Sequence, residues 1–325
     1  MSMTKKSRKL TICATGRRQF LIGASTIAVT ACLDPRVLYA QENRTRIILL
    51  GTKGGPTLAT RTARNNSSTL LLINSVPYIV DCGYGVSRQM ITAGVSLDRL
   101  RYIFITHHHS DHDLEYGTLF YNAWAAKRLR HVDAYGPVGL RRMTGDFFDY
   151  MKFDIETRIV DEGVDDPRQL VKVHEFNRAG IVMQNADVKV TSVRVRHPPI
   201  TQSYAYRFDA KDRSVVISGD TAYSPELANL AKGADILIHE AMYLPAIENL
   251  VKQNPVAKRL REHLLASHTS TEDVGRIAAQ SGVKVVVLSH LVPGDDPSIT
   301  DEQWSEGVRR HFGGKIIVGR DLMEI

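Results

Sequence analysis

The run Thr106-His-His-His-Ser-Asp-His-Asp113 constrains this chain more than any other stretch. Its spacing is His-x-His-x-Asp-His, which makes His107, His109, Asp111 and His112 candidate ligands for two metal ions. It follows Arg101-Tyr-Ile-Phe-Ile-Thr106, an apolar run of strand length. Residues 113 to 130 read as a helix, so the motif is expected on the loop between them, where alternate side chains fan into one cleft. Imidazole and carboxylate ligands without cysteine suit Zn²⁺, with Fe or Mn as alternatives. A solvated polar loop would account for adjacent histidines, but not for the added Asp-His behind a buried strand.

A site for two ions needs about seven protein groups, one of them bridging. Further candidates stand just past apolar strands. His197 follows the alternating run Val188 to Arg196, Asp220 follows Arg213 to Gly219, and His290 follows Lys284 to Ser289. Asp81 follows Pro77-Tyr-Ile-Val80 in the same way. Strand ends are where α/β folds carry function.

Taken in order, these pieces resemble the metallo-β-lactamase superfamily, in the branch shared by ribonuclease Z and a metal-dependent arylsulfatase. The matching segments are Leu50-Gly-Thr-Lys-Gly-Gly-Pro56, Val80-Asp-Cys-Gly83, the histidine run, Tyr135-Gly-Pro137 and Val195-Arg-His197. Ser203-Tyr-Ala-Tyr-Arg207, Ser218-Gly-Asp-Thr221, Ile238-His-Glu-Ala241, His268-Thr-Ser-Thr-Glu272 and Leu288-Ser-His290 complete the set. The resemblance implies one domain over residues 41–325, folded as a four-layer αββα sandwich. It places one metal on His107, His109 and His197, and the other on Asp111, His112 and His290, with Asp220 bridging. It puts Asp81 behind a ligand imidazole, orienting it. It gives His268 the task of protonating the leaving group, with Glu240 orienting that ring. Asp111 would take the proton of the attacking water, which two divalent ions make acidic near neutral pH.

Residues 1–40 read as an export signal and stand outside the fold. Lys5, Lys6, Arg8 and Lys9 form a basic start, and Gly16-Arg-Arg-Gln-Phe-Leu21 resembles a twin-arginine motif. The apolar stretch Phe20 to Ala31 is too short to span a bilayer. Leu38-Tyr-Ala40 offers a cleavage point, and Val29-Thr-Ala-Cys32 offers a lipoprotein box that would anchor the chain through Cys32. The leader also explains the bulk charge. The chain carries +7, of which seven Lys/Arg and one Asp in residues 1–40 supply six, leaving +1 for the rest. A near-neutral domain lacks the broad basic footprint of a general nucleic-acid binder, so nucleic acid is not the expected partner. Cys82 is the one cysteine beyond the leader, which excludes an intrachain disulfide there.

The other histidines are expected to be structural. His108 should point away from the ions, His239 should be packed, and His131, His174, His263 and His311 should lie on the surface. Pro56 to Ser68 reads as a loop near the site mouth. Residues 151–187 are mixed and acidic, and are read as a lid over the cleft. The expected activity is hydrolysis of a small anionic ester, aryl sulfate or phosphodiester, by an exported two-metal enzyme. A ribonuclease Z-like tRNA endonuclease and a lactonase are the alternatives, and a non-enzymatic metal-binding protein ranks below them. Ribonuclease Z of the bacterial type carries a tRNA-gripping arm before the bridging Asp, and Arg207 to Ser218 leaves no room for one.

Overall fold

A computed structural model describes residues 44–126 and 129–325. The leader reading, with both its alternatives at Ala40 and Cys32, lies outside the described residues. Among them, thirteen strands form two sheets. The first sheet runs in sequence order: β1 (Arg46–Gly51), β2 (Ser68–Ile73), β3 (Val76–Val80), β4 (Tyr102–Phe104), β5 (Val132–Pro137) and β6 (Val171–Phe176). It is antiparallel from β1 to β3 and parallel from β3 to β6. The second sheet contains β7 (Gly180–Gln184), β8 (Val188–His197), β9 (Ile200–Ala210), β10 (Ser214–Ile217), β11 (Ile236–Met242), β12 (Val285–Val292) and β13 (Lys315–Val318). It is antiparallel from β7 to β10 and parallel from β10 to β13.

Three apolar layers hold these sheets in place. Leu49, Phe104, Tyr206, Phe208 and Ile238 pack between the sheets. Ile103 and Leu70 pack outward onto Phe120 and Leu140, which come from helices Tyr116–Ala125 and Leu140–Tyr150. Val216 and Leu237 pack outward onto Leu227, Ile277 and Trp304 from helices Pro225–Leu230, Thr271–Ser281 and Asp301–Arg309. Strands covered on both faces need apolar residues at every position. That is why β11 and β12 open with unbroken apolar runs, Ile236 to Ile238 and Val285 to Leu288, while β8, at the margin, alternates buried and exposed. The result is helix, sheet, sheet, helix, as expected.

Parallel strands share a C-terminal edge, and the polar strand-end residues collect there. Asp81 follows β3, His107 follows β4 beyond Thr106, and Asp220 follows β10; Glu240 and His290 lie in the C-terminal halves of β11 and β12.

Three local expectations need correction. Residues 113–130 are not one helix. Ser110–Asp113 is a helical turn of its own, so Asp111 and His112 sit on it rather than on a plain loop. The amides of His112 and Asp113 both close onto the His109 carbonyl. Residues 151–187 are not a lid, since none of them lines the cleft. They form helix Lys152–Glu162 and then β6 and β7, each an edge strand of its sheet. Residues 244–267 also fold into helices Ile247–Gln253 and Leu260–Ser267, which wall the cleft. No helix among the described residues is long and apolar enough to cross a membrane.

Candidate metal centre

Two groups of side chains converge at that edge. His107, His109, His197 and Asp220 each offer an atom within 4.8 Å of the others, and so do Asp111, His112, Asp220 and His290. Asp220 belongs to both. All seven positions named from the sequence are therefore brought together, and all but His109 are buried.

The hydrogen bonds fix which nitrogen each ring presents. Asp81 Oδ1 accepts the Thr106 amide at 2.8 Å, and its Oδ2 accepts the Thr106 hydroxyl at 2.9 Å. With that proton committed, Thr106 Oγ1 can only accept from His107 Nδ1, 3.0 Å away. Asp81 Oδ2 also takes His112 Nδ1 at 2.8 Å. The Ser267 carbonyl accepts from His197 Nδ1 at 2.9 Å. His107, His112 and His197 are thus left with Nε2 free and inward, the tautomer a metal ligand requires.

Those inward atoms lack ordinary partners. His107 Nε2 and His197 Nε2 each stand 3.1 Å from His109 Nδ1. One shared proton cannot satisfy three nitrogens. Metal–nitrogen bonds of 2.0–2.1 Å in a tetrahedral site set nitrogens about 3.3 Å apart, so the spacing is that of a ligand set. In the second group, His112 Nε2 and Asp220 Oδ1 are buried with no hydrogen-bond partner. Buried orphans of this kind are costly unless something else satisfies them. The donor set fits two divalent ions.

Electrostatics separates the groups. Burial pushes His107 well below the ordinary imidazole range, and pushes His197 down to about 4. Burial also opposes charge on His112, but Asp220, Asp81 and Asp111 outweigh it and raise that ring well above its usual value. Burial alone would raise the Asp220 carboxyl, yet His112 and His290 hold it well below.

His268 stands at the same mouth. Its Nδ1 lies 3.1 and 3.0 Å from the two oxygens of Glu240. Burial works against its charge, but Glu240 raises it to about 9. Glu240 Oε1 also accepts the amide of Thr221, the residue after Asp220, at 2.8 Å. A cleft of about 410 Å³ opens onto Asp111, Asp220 and His268. One wall is apolar, built from Leu250, Leu260, Leu264 and Val292.

Two residues of this cleft were not legible in sequence. Lys53 is buried, and its ammonium donates to the carbonyls of Gly54 at 3.0 Å and Gly55 at 3.1 Å, and to Thr57 Oγ1 at 3.2 Å. The loop it braces donates the Gly55 amide to Asp111 Oδ2 at 2.7 Å. His263, expected on the surface, lines the cleft instead. Its ring centroid is 6.2 Å from that of His109 and 6.1 Å from that of His197. The remaining histidines take structural roles. His108 turns to Asp113, His239 is fully buried, His131 and His174 share Asp133, and His311 meets Glu272.

Comparison with known proteins extends the picture. A family model described as a beta-lactamase superfamily domain matches residues 77–291. Ribonuclease Z of Mycobacterium bovis is 30% identical over 265 residues, covering 81% of this chain and 92% of that protein. Ribonuclease Z of Mycolicibacterium gilvum is 30% identical over 282 residues, covering 86% and 95%. Among solved structures, a metallo-beta-lactamase fold protein from Bacillus subtilis aligns with a TM-score of 0.62 at 19% identity, over 86% of this chain and 98% of its own. The short form of human tRNase Z aligns at 0.60 and 20%, over 86% and 98%. At such identities these two structures support the fold alone.

One expectation is overturned here. Nucleic acid was set aside on net charge, yet the sequence relatives are ribonucleases by name. Net charge averages a whole surface, whereas a scissile phosphate is met by a few groups at one cleft, so the average excludes nothing about that cleft. Fold, ligand geometry and sequence match agree that the chain belongs to the metallo-β-lactamase superfamily and to its metal-dependent hydrolases.

Proposed function

We propose that this protein is a zinc-dependent phosphodiesterase that cuts RNA, as the name of its ribonuclease Z relatives describes. The observation that carries the reading is His268, which lines the same cleft as both ligand groups and is backed by the buried Glu240. Divalent ions held by His107, His109, His197, Asp111, His112, His290 and the shared Asp220 would supply an acidic water and offset charge on the attacked phosphate. Asp111 Oδ2, fixed by the Gly55 amide, opens on the cleft and accepts the proton of the attacking water. His268, kept protonated by Glu240, gives its proton to the departing oxygen. Asp81 and the Ser267 carbonyl hold the ligand rings in the correct tautomer.

Purified protein should hold two zinc ions per chain. It should hydrolyse a dinucleotide, a tRNA precursor and bis-p-nitrophenyl phosphate, and leave nitrocefin intact. Faster turnover of p-nitrophenyl sulfate than of any phosphodiester would overturn the reading and restore the arylsulfatase alternative. Export remains part of the proposal: a chain fused at residues 1–40 to a reporter should require Arg17 and Arg18 to leave the cytoplasm.

A further inference from the structure

Two imidazoles that are not in either ligand group face the cleft, and their surroundings give them opposite characters. His268 lies against both oxygens of Glu240 and is built to carry a proton. His263 has no carboxylate in hydrogen-bond reach among the described residues. Its Nδ1 lies 3.3 Å from Ser267 Oγ. The single hydroxyl proton of Ser267 is donated to the Pro198 carbonyl. Ser267 Oγ can therefore only accept from His263, which places the ring proton on Nδ1. In the neutral ring Nε2 is then a bare acceptor, and it has no partner among the described residues.

Position narrows what that acceptor can meet. The ring projects from helix Leu260–Ser267, half-buried, with its centroid 5.8 Å from that of His268 and about as far from His109 and His197. A phosphate attacked between the two ligand groups would lie next to it. A bare acceptor repels phosphate oxygens and selects an O–H or N–H donor. The donor must also sit within a few bonds of phosphorus. In a nucleic acid the ribose 2′-hydroxyl meets both conditions, while the hydrogen-bonding edge of a base lies much further out.

We infer that His263 Nε2 accepts a hydrogen bond from the 2′-hydroxyl beside the scissile phosphate, making His263 the residue by which this cleft selects ribose over deoxyribose. The inference rests on the phosphodiesterase reading above and adds to it a sugar preference.

The test compares UpU with dUpU and UpdU on the zinc-loaded protein, reading KM and kcat separately. Wild type should bind UpU about tenfold better than dUpU, which lacks the 2′-hydroxyl next to the bridging O3′, and should bind UpdU like UpU, the scale being that of one hydrogen bond to a neutral group. His263→Phe should raise KM for UpU by a similar factor and leave dUpU unchanged, with two zinc ions still bound. His263→Gln, which keeps an acceptor, should restore part of the preference. Equal KM values for all three in wild type, or a preference that survives His263→Phe, would overturn the inference alone. Hydrolysis of none of the dinucleotides would remove the phosphodiesterase reading, and this inference with it.

Discussion

The two ligand groups share Asp220 but rest on different supports. The first, His107, His109 and His197, is held by neutral partners: the Thr106 hydroxyl and the Ser267 carbonyl. The second, Asp111, His112 and His290, is held by a buried carboxylate, Asp81, and by the Gly55 amide. The loop bearing that amide is braced by a buried ammonium, Lys53. A carboxylate behind an imidazole strengthens it as a ligand. The second group therefore meets the charge of Asp81 directly at His112, whereas the first reaches the same carboxylate only through Thr106. The two sides of one centre should therefore loosen unequally when the support they share is cut.

Removing the shared member should erase the contrast. Asp220→Ala is expected to lose both ions and reduce turnover to background, checked by elemental analysis alongside the phosphodiester assay. Retention of one ion would show that the groups are more separable than the geometry implies. Next in size is His268→Ala, which should leave both ions in place and slow turnover by about 10² to 10⁴, the usual worth of a positioned acid. Asp81→Ala should sharpen the contrast, with metal affinity falling about 10- to 100-fold at the second group and less at the first, which Asp81 supports only through Thr106, as a competing chelator would reveal. Lys53→Met should act in the same direction but more weakly, through the Gly55 amide. Titration with zinc should show one site weakened and the other unchanged.

The mildest change alters pH response. His268 is held protonated to about 9 by Glu240. As an acid it works while protonated, so turnover should fall as pH rises through that value. Glu240→Gln removes the charge, and the fall should then come at lower pH, toward the ordinary imidazole value near ~6.5. A pH profile of kcat would detect the move, and an alkaline limb unmoved by the substitution would assign it to another group.

How much of this could be read from the chain depends on where each signal lies. The seven candidate ligands were legible because each follows an apolar strand or falls within one short motif. Asp81 was legible for the same reason. His263 was not, because its companions His109 and His197 are remote in sequence and its own surroundings, Arg261-Glu-His-Leu-Leu265, resemble an ordinary solvated helix. Lys53 was hidden by convention, since a lysine among glycines reads as exposed, and only the fold shows all its donors turned inward. Residues 151–187 misled because edge strands carry weak patterns. β6 buries only Val173 and β7 only Met183 among their residues. The partner expectation failed for a different reason, having averaged charge over the surface instead of asking what meets the substrate.

The ligands come from both halves of the sandwich. His107 to His112 belong to the first sheet's half, and His197, Asp220 and His290 to the second's. Ions seated there would rivet the seam, fastening residues far apart along the chain. Neither half severed from the other could assemble the centre, and chelation should be felt as a loosening of the whole molecule rather than of one corner.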